Sequence, residues 1–126
     1  LLILRLLNSM NLLMIGLGGS IGAISRYSLN ELLIKIMPTM APLGTLCINI
    51  VGCLLIGMYL GNSMPIKDSS YYFFVIGFLG SFTTMSAFTH HTIQLINTNT
   101  LIATSYIITS IFLCIFATYI GTLISK

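Results

Sequence analysis

The sequence predicts an all-α membrane protein of four transmembrane helices, the third of them broken near the midplane of the bilayer. Three observations carry that expectation. The first is solvent: 56% of the 126 residues are hydrophobic and 6% are charged, with a mean hydropathy of +1.04, against roughly 25% charged residues in a soluble domain. Too few polar side chains exist to coat this chain against water, and disorder needs the reverse, low hydrophobicity with high charge. The second is segmentation, because long apolar runs alternate with short polar or proline-containing connectors. The third is that polar residues gather inside one of those runs, where lipid makes them costly.

The 126 residues form a single transmembrane domain at this length. The first span covers about 11–32 and ends in a connector holding Lys35, Pro38 and Pro42, since prolines stop helices. The second covers about 43–60, followed by the loop Gly61-Asn62-Ser63-Met64-Pro65-Ile66-Lys67-Asp68-Ser69-Ser70. The third covers about 71–96, and Asn97-Thr98-Asn99-Thr100 makes a tight polar turn into the fourth, about 101–124. These runs are too long for β-barrel strands and do not alternate apolar with polar at period two. The chain opens on Leu1 rather than methionine, which suggests an unusual start or a truncation. Arg5 before an apolar run imitates a signal peptide, but that run continues through glycines into Arg26 and three more spans follow.

The five cations, Arg5, Arg26, Lys35, Lys67 and Lys126, are scattered, so no nucleic-acid footprint is present. Four spans put both termini on one side, with Arg5, Lys67 and Lys126 there and Lys35 and Arg26 on the other. That balance shows almost no positive-inside bias. Either the chain simply carries few charges, or it inserts both ways up and pairs with an inverted copy. Glycine and alanine recur four apart, at Gly18 and Gly22, Gly19 and Ala23, and Gly57 and Gly61, letting helix backbones approach closely. Four short helices do not easily enclose a pathway, so an oligomer is expected. Cys47, Cys53 and Cys114 lack a C-x-x-C spacing and read as buried small hydrophobes.

Between Ser81 and Thr92, eight of twelve residues are polar. If the span starts near Tyr71, Gly80 lies about 15 Å deep at 1.5 Å per residue, near the middle of a roughly 30 Å core. A glycine followed by hydroxyl residues at that depth invites a break, and bare backbone survives there only when it binds an ion, lines a wet cavity or is buried in protein. The alternative is an unbroken helix whose Ser and Thr hydroxyls bond their own i−4 carbonyls. Asn49, inside the second span, offers two donors and an acceptor, and a lone asparagine in a membrane is more often glue between helices than a pore group. Arg26, near the end of the first span, reads by default as snorkelling to the interface. Tyr106, Ser110 and Cys114 recur every four residues and form one stripe of the fourth span. Adjacent His90 and His91 point to different faces, a poor metal pair better suited to the interface. Glu31 and Asp68, the only carboxylates, lie at span ends, and no nucleophile–base pair or phosphate loop accompanies them. No catalytic residue is assigned, so the chain does not read as an enzyme.

Three segments resemble one family. Gly19-Ser20-Ile21-Gly22-Ala23-Ile24-Ser25-Arg26-Tyr27 is similar to the first-span motif of the CrcB, or Fluc, fluoride channels, and Gly44-Thr45-Leu46-Cys47-Ile48-Asn49-Ile50-Val51-Gly52 to the second. Gly77-Phe78-Leu79-Gly80-Ser81-Phe82-Thr83-Thr84-Met85-Ser86-Ala87-Phe88 resembles the third-span signature. The motifs occur in family order along nearly the whole chain from about Asn11. The resemblance implies a dual-topology antiparallel homodimer in the cell inner membrane, with two fluoride pathways. It implies a central structural sodium ion held by the backbone carbonyls of Gly80 and Thr83 from both subunits. Asn49 matches the family's pore asparagine, Tyr106 and Ser110 its polar track, and Phe88 the second of two phenylalanines whose positive ring edges face the anion. Ser86 adds a donor, and Arg26 belongs to the vestibule or to the scaffold around it. Met85 stands where the first phenylalanine is expected, and Ser81 and Ala87 replace a glycine and a threonine.

The implied function is a fluoride-specific channel that lets fluoride leave passively, lowering its cytoplasmic concentration. Two other readings compete. A four-span dual-topology small-molecule exporter needs a membrane-buried acid in its first span, where only Glu31 is available. A non-transporting scaffold subunit would pack through its glycine faces and leave the third-span polar residues replaceable.

Overall fold

A computed structural model describes residues 8–126; Arg5, counted among the cations, lies outside them. Among the described residues, four helical spans are long and apolar enough to cross a membrane: Ser9–Ile36, Ala41–Leu60, Ser69–Thr98 and Thr100–Ile124. Local chemistry sets their ends. Asn8 caps α1 (Ser9–Ile36), its Oδ1 accepting the Met10 N–H at 3.1 Å. Pro42 sits in the first turn of α2 (Ala41–Leu60), where a missing N–H has no helical acceptor to miss. Pro42 therefore starts a helix, while Pro38 lies in the turn between the two. Gly61 closes α2 with φ +56°, in the left-handed region that glycine enters without a steric penalty.

The third span is discontinuous. Its first half, α3, runs over residues 69–82 as Ser69–Tyr71, a π-helical stretch Tyr72–Leu79 and Gly80–Phe82. Asp68 starts it, accepting the Tyr71 N–H at 2.9 Å. Thr83 and Thr84 are extended, and α4 (Met85–Thr98, 14 residues) completes the span. The break thus divides the 30-residue span at its centre. It follows Gly80 rather than coinciding with it, since Gly80 keeps helical φ −62° and ψ −29°. Asn99 alone forms the corner to α5 (Thr100–Ile124): its N–H donates to the Leu95 carbonyl at 2.7 Å, and its Oδ1 accepts from Leu101 and Ile102 at 2.9 and 3.3 Å.

Two helix pairs dominate the packing, α1 with α3 and α2 with α5, and backbone contact through glycine holds each. A Cβ on Gly18 would strike the Phe73 carbonyl oxygen, one on Gly22 that of Phe78, and one on Gly77 would lie 2.7 Å from that of Ile15. Across the other pair, a Cβ on Gly57 would meet the Thr118 carbonyl and one on Gly121 that of Leu54. Gly18 meets Phe73 and Gly22 meets Phe78, while Gly57 meets Thr118 and Gly61 meets Ser125, so the residue numbers rise together and the partners run parallel. Without a hydrophobic drive between helices in lipid, this close approach supplies van der Waals contact in its place. Gly57 takes part, whereas Gly61 is the helix stop. The protein core is small, centred on Ile48, Leu79, Phe82 and Ala103. Side chains such as Ile115, 66% exposed, face outward to a solvent that is hydrocarbon.

Gly22→Ala should lower the thermal midpoint in detergent through an overpacking penalty of about 1–3 kcal/mol. Gly16, whose Cβ would meet nothing within 4 Å, is the control: Gly16→Ala should leave the midpoint unchanged or raise it, helix propensity adding up to about 1 kcal/mol of stability.

Candidate functional site

Breaking a helix in lipid frees backbone donors and acceptors that cost several kcal/mol each unless matched. This chain matches them with side chains from two other helices. On α2, Asn49 Oδ1 accepts the Thr84 N–H at 2.8 Å, and its Nδ2 donates to the Thr84 carbonyl at 3.0 Å. One carboxamide thus pairs with both polar groups of one extended residue, as a neighbouring strand would. On α1, Arg26 Nε donates to the Ser81 carbonyl at 3.0 Å, placing a cation on the negative end of α3. Arg26 is therefore engaged within the protein, which replaces the snorkelling reading.

The break also satisfies itself. The Thr83 N–H and Oγ1 both donate to the Leu79 carbonyl, at 3.1 and 2.9 Å, so the back-bonding expected of an unbroken helix occurs here at its last turn. The Thr84 Oγ1 accepts the Ala87 N–H at 3.2 Å and caps α4. Thr83 needs room beside α2, and Gly52 provides it: a Cβ there would collide with Thr83 Cγ2. The carbonyls of Gly80, Phe82 and Thr83 accept no hydrogen bond among the described residues, those of Ser81 and Thr84 being taken by Arg26 and Asn49.

The break opens onto a groove of about 380 Å³. Asn49, Gly80, Thr83, Met85, Phe88 and Ser110 all line it, together with Thr84, Cys53 and Cys114. Met85 is 71% exposed at its mouth. Tyr106 stands behind Phe88, with ring centroids 5.4 Å apart. The Tyr106 hydroxyl and Ser110 Oγ are buried and have no hydrogen-bond partner among the described residues. Such orphaned polar atoms call for a ligand, a water or a neighbouring chain. Ser86 does not line the groove; its Oγ lies 3.1 Å from Thr84 Oγ1 on the first turn of α4. On the other side of Thr84 a smaller recess of about 210 Å³ is lined by Arg26, Asn30 and His91 among others.

The remaining polar residues fall outside this arrangement. Glu31 is exposed and lines neither cavity. His91 Nδ1 lies 3.2 Å from Gln94 Oε1, and no cluster of three or more His, Cys, Asp or Glu side chains exists among the described residues. Cys47 is exposed, and Cys53 and Cys114 are half-buried on the groove wall, so the cysteines are not the buried hydrophobes expected. Sequence reasoning also missed Gly52 and Cys53. Their signal was spacing, because positions three and four residues beyond Asn49 share its helix face.

The family described as CrcB-like protein, Camphor Resistance (CrcB), matches residues 13–122. The chain is 39% identical over 116 residues to a protein of Flavobacterium psychrophilum named fluoride-specific ion channel FluC, covering 89% of this chain and 94% of that one. Proteins of the same name from Shewanella baltica and Shewanella pealeana are 37% and 34% identical, each across 88% of this chain and 92% of their own.

Asn49→Leu should strand the Thr84 N–H and carbonyl at about 1–3 kcal/mol each. Amide exchange at Thr84 should accelerate and the thermal midpoint fall, while exchange at the α1–α3 glycine crossing changes little. Unchanged exchange at Thr84 would show that the pairing does not hold the break.

Proposed function

This chain belongs to the CrcB-like family, and we propose that it is a fluoride-specific ion channel of the cell inner membrane that lets fluoride leave passively down its gradient. The observation that carries this reading is the mid-span break, tied to Asn49 and opening onto a groove whose wall includes Ser110, with a hydroxyl that has no partner among the described residues. Fluoride holds water tightly, so a pathway must replace its hydration with hydrogen-bond donors. Asn49 spends one Nδ2 hydrogen on the Thr84 carbonyl and retains the other. The Ser110 and Tyr106 hydroxyls retain theirs. Phe88 adds a ring with a positive edge, and the N-terminus of α4 adds a positive dipole end beside it. The Ser86 hydroxyl, engaged with Thr84, serves better to hold the cap than to meet the ion.

The groove is open on one side in a single chain, and we propose that an inverted second copy faces it. A break at the centre of its span suits that arrangement, because a two-fold axis in the membrane plane brings the two breaks to the same depth. The near-balanced cations suit insertion either way up. The resemblance calls for a sodium ion between the breaks, and the donor set fits one: the Gly80 and Thr83 carbonyls are unclaimed, and oxygen is the ligand a hard cation prefers. Its charge would offset four carbonyl dipoles, two from each copy. An exporter driven by protons lacks an acid here, since no carboxylate lines the groove.

Liposomes containing the purified protein should release fluoride and retain chloride, read with ion-selective electrodes. Folded protein that passes no fluoride would refute the channel. Met85→Phe should raise the flux by restoring a positive ring edge at the groove mouth. Phe88→Ile should lower it roughly fivefold, an effect of about 1 kcal/mol. Replacing sodium with a large organic cation throughout purification should weaken the dimer and the flux together.

A further inference from the structure

Three sulfur side chains line the groove, Cys53 of α2, Cys114 of α5 and Met85 of α4. The two thiols share one level of the bundle. Gly57 packs on Thr118 where α2 and α5 touch, and stepping back four residues on each of these parallel helices reaches Cys53 and Cys114. Positions four apart lie on the same face, so both thiols stand one turn from that contact, one from each helix, and both line the groove. Both are free and half-buried, whereas Cys47, also on α2, is exposed and outside the groove.

We infer that Cys53 and Cys114 form a site for one thiophilic cation, of the class of Hg²⁺, Ag⁺ and Cu⁺, whose occupancy closes the groove to ions. Soft thiolate and thioether ligands select such cations over the hard ones in cells. Two metal–sulfur bonds of about 2.3 Å each let a two-coordinate cation span a wider gap between sulfurs than the roughly 2 Å of a disulfide bond. For Hg²⁺, each thiol releases its proton to water as its sulfur–mercury bond forms. The neutral RS–Hg–SR′ bridge needs no electron transfer, and its lack of net charge suits the apolar wall. Met85 supplies a third soft donor on the same groove. The bridge would stand between Ser110 and the wall of α2, in the space proposed for the ion.

The site itself does not depend on the transport reading; the closure does. Mercuric ion titrated into the purified wild-type protein should add one metal per chain to the intact mass, with loss of two protons. Alkylation afterwards should label Cys47 and spare Cys53 and Cys114. Cys53→Ser or Cys114→Ser should weaken binding by more than the 10–100-fold that loss of an outer-shell partner typically costs, while Cys47→Ser should leave it unchanged. In liposomes, mercuric ion should abolish fluoride efflux, and a dithiol chelator should restore it. Alkylation of Cys53 and Cys114 in the metal-loaded wild type, or equal binding by the serine variants, would overturn the site. Binding with undiminished efflux would overturn the closure. Absence of efflux from metal-free protein would count against the channel and leave the site standing.

Discussion

A helix interrupted inside a bilayer is sustainable only if something else completes its backbone hydrogen bonds, and here that is the pairing of the Asn49 carboxamide with Thr84. Both bonds are short, 2.8 and 3.0 Å, and both engage the residue at the centre of the third span. Without them an amide and a carbonyl would stand bare at the least forgiving depth. Every other feature of the site presupposes this pairing. Gly52 clears space so that Thr83 can lie beside α2. Arg26 covers a carbonyl at the end of α3. Thr84 then caps α4 with its own hydroxyl.

The glycine crossings make that precision possible. Asn49 can reach Thr84, and Arg26 can reach Ser81, only because α2 and α1 stand close to the third span. The α1–α3 and α2–α5 contacts bring backbones together where a methyl group would not fit. The carboxamide and guanidinium then work over distances fixed by packed main chain rather than by mobile side chains. Rigid helices thus hold the polar groups of the break, and the groove beside it inherits its shape from them. The π-helical stretch Tyr72–Leu79 belongs to the same system, since its Phe73 and Phe78 carbonyls are the surfaces on which Gly18 and Gly22 rest. Wide helical turns of this kind recur at functional sites.

Much of this was legible in the residues. Composition alone identified lipid as the solvent, and the density of hydroxyls after Gly80 marked the third span as the place to look. Asn49, Gly80, Thr83, Met85, Phe88 and Ser110 were all singled out from sequence and do meet around one groove. Other residues misled because their meaning depends on neighbours. Arg26 near a span end has the pattern of a snorkelling cation, and only the approach of α3 gives it a carbonyl. Gly61 matched a small-residue packing pair but serves as a stop, because its φ of +56° ends the helix before the fourth position is reached. Pro42 matched a helix terminator, yet the first turn of a helix is where proline is harmless.

The solvent, the spans and the chemistry of the polar residues could all be read from the chain alone, because hydrophobic transfer and helix propensity act locally along it. Helix packing settled where the third span breaks, which carbonyls remain unclaimed and which thiols share the groove wall. Those outcomes depend on residues far apart in the chain, Asn49 with Thr84 and Cys53 with Cys114 among them. Whether such a pair meets depends on how two helices cross, and that crossing is a property of packed surfaces that no single segment contains.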